Sequence, residues 1–126
     1  MQITIYHNPK CSTSRNALAA IRAAGYEPRV FEYLETPLSR GALAALVKGM
    51  NVPVRDVVRT KEPLFRDLGL DAEDIGEDDL LDAMAQHPIL LNRPIVVVQN
   101  GRRTVIRLCR PAETVKSLIE EERTKN

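Results

Sequence analysis

QITIYHNPKCSTSRNALAAIRAAGYEPRVFEYL, residues 2–34, is the stretch that decides the fold. Residues 3–6 are rich in β-forming side chains and predict a short strand. Residues 11–24 carry apolar side chains at helical spacing, and Gly25 is typical of the position just after a helix. Residues 29–34 predict a second strand. A strand, a helix and a strand in so short a stretch indicate two parallel strands joined by a right-handed crossover.

The middle of the chain has a different character, because residues 36–86 contain no convincing strand pattern. Ser39 can cap a helix that runs to about residue 48, and residues 54–59 and 63–68 predict two short helices. An acidic run at residues 77–79 suits the positive end of a helix dipole and opens a helix that ends near residue 86. With His87-Pro88 as its boundary, this helical insertion covers about residues 36–87.

Strand character returns at residues 94–98, and residues 103–108 predict an antiparallel partner. Asn100-Gly101 between them is a strong signal for a two-residue hairpin turn. Pro111 at the first helical position, with Glu113 in the first turn, predicts a last helix to about residue 121 and a frayed polar tail at residues 122–126. The order β-α-β, helical block, β-β-α is typical of a thioredoxin-like α/β fold. It predicts a mixed sheet in a single domain, residues 1–126.

The composition excludes several classes of function. The chain has 18 Lys and Arg against 17 Asp and Glu, so the bulk charge predicts neither a nucleic-acid nor a membrane partner. No apolar run approaches the ~18 residues of a membrane span, and no charged-then-apolar leader precedes the first strand. Two distant cysteines do not make a disulfide framework. We therefore expect a cytoplasmic protein with reduced thiols, and we expect a monomer.

Cys11 lies at the turn from the first strand to the first helix. Unpartnered backbone N–H groups and the helix dipole stabilise an anion there, so the pKa of this thiol should fall below the free value of ~8.5. His7 before it and Arg15 one turn after it could add positive charge. The alternative is that Cys11 is a small buried hydrophobic residue, which is a common role for cysteine.

The neighbours of Cys11 leave several roles open. His7 could be a protonated partner of the thiol, a hydrogen-bond orienter or a solvated turn residue. Ser12 and Ser14 could donate their hydroxyls to the thiolate, and Ser12, Thr13 and Ser14 are all plausible helix caps. Because Ser14 stands where a C-x-x-C pair would have its second cysteine, redox chemistry at Cys11 needs an external thiol.

The other candidate ligands do not form a metal site. Cys109 precedes Arg110-Pro111 at a strand end, and we expect it to be a buried structural thiol. His87 is expected to be a structural cap or boundary. Two cysteines and two histidines scattered in this way have no metal-ligand spacing.

Three arginines point to an anion. Arg59 ends a short predicted helix, Arg93 precedes Pro94 before a strand, and Arg110 follows a strand. Loops at strand ends are where α/β sites assemble, and a guanidinium fork matches a tetrahedral oxyanion. Each arginine alone is compatible with a surface charge. Together, the three could form an oxyanion cradle beside Cys11.

Three blocks of this chain resemble the glutaredoxin-linked arsenate reductase family. They are HNPKCSTSRN at residues 7–16, HPILLNRPIV at residues 87–96 and RLCRP at residues 107–111. The likeness covers nearly the whole chain, and three blocks in the right order make it specific. The resemblance implies a thioredoxin-like fold with a helical insertion, in agreement with the order of elements predicted above.

The resemblance also implies roles for individual residues. Cys11 is the implied nucleophile, and His7 is implied to help lower the pKa of its thiol. The three implied oxyanion-binding residues are Arg59, Arg93 and Arg110. Pro94 matches the cis proline that begins the strand next to the thiol in thioredoxin-like folds.

The implied activity is an oxidoreductase activity, the reduction of arsenate to arsenite, which confers arsenic resistance. Glutathione is the implied co-substrate, glutaredoxin the protein partner, and no bound cofactor or metal is expected. Two alternatives stay open. One is a glutathione-linked thiol transferase of unknown substrate. The other is a regulator similar to the Spx-like proteins, which share this fold and bind RNA polymerase but usually carry C-x-x-C where this chain has Cys11 and Ser14.

Overall fold

The computed structural model describes residues 1–125. The chain divides into two compact units, one made of Met1–Tyr33 together with the chain from Arg93 onward, and the other of Leu34–Asn92. In chain order, the strands and α-helices are β1 (Gln2–Tyr6), α1 (Ser12–Ala23), β2 (Arg29–Phe31), α2 (Arg40–Met50), α3 (Pro63–Asp67), α4 (Glu77–Gln86), β3 (Ile95–Asn100), β4 (Arg103–Leu108) and α5 (Thr114–Arg123). None of the helices described is both long and apolar enough to cross a membrane.

The first unit is built on a four-stranded mixed sheet with the strand order β2-β1-β3-β4. β1 runs parallel to β2 and antiparallel to β3, and β4 returns antiparallel to β3. The parallel pair is the one that the β-α-β pattern predicts. The predicted thioredoxin-like α/β fold is confirmed.

One face of this sheet is covered by α1 and α5. Alternate residues of β1 and β3 point toward these helices, as the two-residue period of a strand requires. The core consists of Ile3, Ile5, Ala17, Ile21, Val96, Val98, Cys109, Val115, Leu118 and Ile119. Burial of each large apolar side chain stabilises the unit by about 1.5–3 kcal/mol, so this layer holds α1 and α5 against β1 and β3.

The second unit is helical. Ser39 caps α2 by accepting the Ala42 N–H at 3.1 Å, as predicted. α4 packs against α2 and against two short 3₁₀ helices, Val54–Val57 and Pro88–Leu90. The sequence did not predict the second of these. His87 ends α4 and precedes that turn, so its predicted role as a boundary is confirmed. The interpretation of residues 36–87 as an insertion within a single domain stays a prediction.

Two boundaries in the first half of the chain differ from the predicted ones. The N-cap of α1 is Cys11 and not one of the three hydroxyl residues that follow it. β2 ends at Phe31 instead of residue 34. Phe31 pairs with Tyr6, the last residue of β1, and its carbonyl accepts the His7 N–H at 2.9 Å. Beyond this point β1 gives way to a loop, so β2 has no further strand to pair with.

Three boundaries in the last third also differ. Asn100 pairs with Arg103, so the two-residue turn is Gly101-Arg102 and not Asn100-Gly101, with Gly101 at φ 64°. α5 begins at Thr114 instead of Pro111, because the Thr114 N–H closes a separate turn onto the Pro111 carbonyl. Residues 122–123 belong to α5 and are not frayed. Of the predicted tail, residue 126 lies outside the described residues.

Candidate active site

The loop between β1 and α1 holds Cys11 at the start of the helix. Cys11 has extended backbone angles, donates its N–H to the Asn8 carbonyl at 3.0 Å and accepts the Arg15 N–H at its own carbonyl at 3.0 Å. The Asn8 side chain braces the same loop by accepting the Lys10 N–H at 3.0 Å. Asn8 is buried, and its bracing role was not predicted from the sequence. The sulfur of Cys11 stays partly exposed at the helix N-terminus.

The pKa of the Cys11 thiol is lowered to about 7. Burial raises it, but the backbone N–H of Ser14 and hydrogen bonds from Arg110 and Arg93 outweigh that effect. The sulfur makes no regular capping hydrogen bond, so the Ser14 N–H acts on it as a nearby dipole. About half of the thiol is therefore ionised at pH 7, and the thiolate is the nucleophilic form.

Two of the predicted arginines lie beside the sulfur. The Arg110 Nη1 is 3.7 Å from the Cys11 Sγ and donates to the Arg93 carbonyl at 2.9 Å. The Arg93 side chain is buried and adds both a hydrogen bond and a positive charge to the thiolate. The peptide bond between Arg93 and Pro94 is cis, as the resemblance implies. One thiol and two guanidinium groups thus meet at the carboxyl end of β1 and the ends of β3 and β4.

His7 and Ser14 form a buried pair behind the sulfur. The His7 Nδ1 is 2.6 Å from the Ser14 Oγ, which also accepts the Asn8 N–H at 3.1 Å. Burial lowers the pKa of His7, as do Arg15 and Arg22, whereas Glu32 raises it. The imidazole is therefore mainly neutral at pH 7. Donation from the Ser14 hydroxyl to the thiolate, one of the roles that the sequence left open, is not found, because that hydroxyl contacts His7 and Asn8.

Arg15 contributes to the loop rather than to the sulfur. Its Nη1 donates to the Pro9 carbonyl at 2.9 Å, and the residue is exposed on the surface of α1. Its charge acts on His7 and lowers the pKa of that residue.

Arg59 belongs to the second unit. Its backbone N–H donates to the Leu90 carbonyl at 2.7 Å, and its side chain pairs with Glu62 at 3.7 Å. The exposed fraction of the Arg59 side chain is 27%. Its role in an oxyanion cradle stays a prediction.

Cys109 is a buried thiol, as predicted. It is 0% exposed, it packs in the core of the first unit, and burial raises its pKa to about 12. Such a thiol is protonated and poorly nucleophilic at neutral pH. Within residues 1–125, no group of three or more His, Cys, Asp or Glu side chains is placed to hold a metal ion.

Comparison with known proteins gives one consistent result. The model of the ArsC family matches residues 6–118. The arsenate reductase of Rhizobium meliloti is 49% identical over 121 residues, which cover 96% of this chain and 84% of that protein. The arsenate reductase of Escherichia coli K12 is 47% identical, with 94% and 82% covered. Among solved structures, the arsenate reductase of Vibrio cholerae has a TM-score of 0.85 and 43% identity, covering 93% of this chain and 97% of that one.

Proposed function

The chain belongs to the ArsC family, and we propose on this basis that it is an arsenate reductase whose nucleophile is Cys11. The observation that carries the proposal is the Arg110 guanidinium at 3.7 Å from a sulfur whose pKa is about 7. A thiolate beside two arginines suits an attack on an oxyanion, because the positive charges attract the substrate and stabilise the charge that develops during reaction.

Arsenate carries about two negative charges near pH 7, as phosphate does. Arg93 and Arg110 would neutralise its oxygens and hold the arsenic atom in line with the Cys11 sulfur. Arg59 is proposed as the third oxyanion-binding residue, as the resemblance implies. Phosphate has the same shape and charge, so selectivity would arise from the sulfur–arsenic chemistry and not from binding alone.

The first chemical step forms a sulfur–arsenic bond. The Cys11 thiolate attacks arsenic(V), and one arsenate oxygen, after taking up protons, leaves as water. A glutathione thiol then attacks the Cys11 sulfur. A sulfur–sulfur bond forms between Cys11 and glutathione, and the electron pair of the sulfur–arsenic bond passes to arsenic. Arsenite, now arsenic(III), leaves the site.

The second half of the cycle removes glutathione from Cys11. Because residue 14 is a serine, no neighbouring thiol can resolve the mixed disulfide, and a thiol of glutaredoxin takes the glutathione by exchange. Overall, arsenate and two thiols give arsenite, water and one disulfide. A cycle that depends on reduced thiols suits the cytoplasm, which we propose as the location of this protein.

The test is arsenate reduction by the purified protein with glutathione and glutaredoxin. Cys11→Ser should abolish turnover with the fold intact, whereas Cys109→Ala should keep most of it, because its thiol is buried and protonated. Loss of turnover in the Cys109 variant alone would contradict the assignment.

The same assay tests the thiol-transferase alternative. In a parallel reaction, a glutathionylated protein replaces arsenate as the substrate. Faster turnover of that substrate than of arsenate would favour the alternative. An arsenate reductase should instead depend on Arg93 and Arg110 far more for arsenate than for the mixed disulfide, because only arsenate presents a tetrahedral oxyanion.

A further inference from the structure

We propose that Ser14 is a positioning residue for the Cys11 thiolate, and that a neutral His7 acts through the Ser14 hydroxyl instead of as a charge beside the sulfur. The proposal refines the site of the proposed function but concerns the thiolate itself. It rests on two hydrogen bonds of a fully buried hydroxyl and on the place of Ser14 in the first turn of α1.

The hydrogen bonds of the Ser14 hydroxyl assign its proton. Ser14 is 0% exposed, and its Oγ accepts the backbone N–H of Asn8. A hydroxyl also has one proton to donate, and a buried donor needs an acceptor. A neutral His7 with its own proton on Nε2 provides that acceptor at its Nδ1, which lies 2.6 Å from the Ser14 Oγ. A protonated His7 would be a second donor to the same oxygen and would leave the hydroxyl proton without this partner.

The pair ties the end of β1 to the first turn of α1. His7 and Asn8 follow β1, Ser14 lies in the first turn of α1, and Cys11 lies in the loop that the pair closes. The backbone N–H of Ser14 is the group that lowers the pKa of the thiol most. The side-chain hydrogen bonds of Ser14 to His7 and Asn8 therefore hold in place the residue whose N–H acts on the thiol.

Other charged groups also act on His7 and Cys11, and the comparison requires that they stay unchanged. Glu32, Arg15 and Arg22 act on His7, and Arg93 and Arg110 act on Cys11. None of them is changed in the variants below. A shift in the titration of Cys11 among these variants therefore reports the loss of the Ser14 and His7 hydrogen bonds.

The first experiment compares Ser14→Ala with Ser12→Ala, a matched serine that is exposed in the same helical turn. The rate of alkylation of Cys11 by iodoacetamide is measured from pH 5 to 10, with the modified cysteine identified by mass spectrometry. For Ser14→Ala we expect the midpoint to rise by about one pH unit, the rate at pH 7 to fall about fivefold and the rate at pH 9.5 to recover. Ser12→Ala should match the wild type. An unmoved midpoint in folded Ser14→Ala would overturn the proposal.

The second experiment separates hydrogen bonding from charge at residue 7. His7→Asn keeps a polar atom near the position of Nδ1 but removes the titratable ring, whereas His7→Ala removes both. We expect the midpoint of His7→Asn to stay near the wild type, and His7→Ala to shift like Ser14→Ala. The double variant with alanine at both positions should shift no further than either single variant. If His7→Asn raises the midpoint of the Cys11 alkylation profile as much as His7→Ala does, the charge of His7 matters and the proposal is contradicted.

Alkylation uses no arsenate, so these outcomes are independent of the proposed reaction. Far-UV circular dichroism of each variant reports folding. If Ser14→Ala does not fold, the pair of His7 variants decides the question. A failure of arsenate reduction together with the expected shifts would refute the proposed substrate and leave the positioning role of Ser14 standing.

Discussion

Cys11 is ionised by three groups that act on one sulfur atom: the Ser14 N–H and the side chains of Arg110 and Arg93. The folded thiol has a pKa of about 7, whereas an unfolded thiol titrates at about 8.5–9. A folded pKa below the unfolded value means that the ionised thiol contributes stability above pH 9. That contribution is lost as the pH falls through 7.

We therefore expect the free energy of unfolding of the wild type, relative to Cys11→Ser, to rise between pH 6 and pH 9 and to be constant below pH 6. The gain should be smaller than the full pKa shift implies, because the sulfur is partly exposed and screened by solvent. Urea unfolding of both proteins at four pH values measures it. Cys109 is present in both proteins, so its contribution cancels in the difference between their free energies of unfolding. A difference that shrinks as the pH rises would refute the ionisation of Cys11.

Arg110 places its Nη1 on both the Arg93 carbonyl and the Cys11 sulfur, and its other N–H groups remain for a substrate oxygen. Lysine keeps the charge but has one nitrogen, which cannot reproduce this planar arrangement. Arg110→Lys should therefore raise the KM for arsenate about tenfold and raise the pKa of Cys11. Steady-state kinetics and the alkylation profile measure the two effects.

Arg107→Lys is the matched control, since Arg107 lies near the end of β4, the strand that Arg110 follows, and its side chain pairs with Glu121 at 3.4 Å. Its kinetics should match the wild type. If Arg110→Lys leaves the kinetics as unchanged as Arg107→Lys does, residue 110 matters only through its charge.

At the residue scale, the sequence predicted a thiol of lowered pKa at Cys11 and two of its charged neighbours. Cys11, Arg93 and Arg110 each stand at a strand end, and strand ends of one sheet converge. The sequence could not predict the partner of the Ser14 hydroxyl, since that depends on a side-chain rotamer and on the path of the loop at residues 7–10. The same limit explains why the sequence left three roles open for His7: a protonated partner of the thiol, a hydrogen-bond orienter or a solvated turn residue.

At the scale of elements, the periodic segments were predicted well and their ends less well. β4 has the predicted bounds, because its strand pattern is uninterrupted and follows a glycine turn. β2 is shorter than its β propensity suggests, because strand length is set by the partner and not by the strand itself. α5 extends beyond its predicted end because Glu122, which looks like a surface residue in an acidic run, is buried.

Glu122 joins α5 to the hairpin of β3 and β4. Its carboxylate accepts the Arg103 Nε at 3.1 Å and lies 3.5 Å from the Lys125 Nζ, and its backbone carbonyl accepts the Asn100 Nδ2 at 2.9 Å. Burial raises the pKa of Glu122, but Arg103 and the other partners outweigh that effect and the pKa is lowered.

Glu122→Gln should lower the melting temperature by a few degrees at pH 7, because the half-exposed Arg103 side chain loses the opposite charge of its buried partner. A lowered carboxyl pKa contributes stability above the unfolded value of ~4.3 and loses it as the pH falls, so the difference from the wild type should shrink toward pH 3. Thermal melts at both pH values measure this. Glu120→Gln, on the exposed side of the same helix, should have little effect. A constant difference at the two pH values would contradict an electrostatic role.

At the scale of the whole molecule, element order was sufficient to predict the fold class, because a right-handed β-α-β unit and a hairpin leave few ways to build one sheet. The division into two compact units was not predictable. It depends on which apolar faces pack together. A helical pattern identifies the apolar face of a helix but not the element against which that face packs.

The single-domain interpretation makes a prediction about unfolding. α2, α3 and α4 have 11, 5 and 10 residues, and helices this short are marginal alone, since helix nucleation is unfavourable. A block of about 60 residues also buries only about 60% of the surface that its unfolded chain exposes. We therefore expect Leu34–Asn92 to unfold together with the rest of the chain in one transition.

The distribution of tyrosine allows a direct measurement. The chain has no tryptophan, and its three tyrosines, Tyr6, Tyr26 and Tyr33, all lie in the first unit. Tyrosine fluorescence therefore reports the first unit, while circular dichroism at 222 nm reports the helices of both. A single domain requires the two thermal midpoints to coincide and the calorimetric enthalpy to equal the van't Hoff value. If ellipticity is lost several degrees before fluorescence changes, Leu34–Asn92 is a separate domain, because only its helices can melt without disturbing the tyrosines.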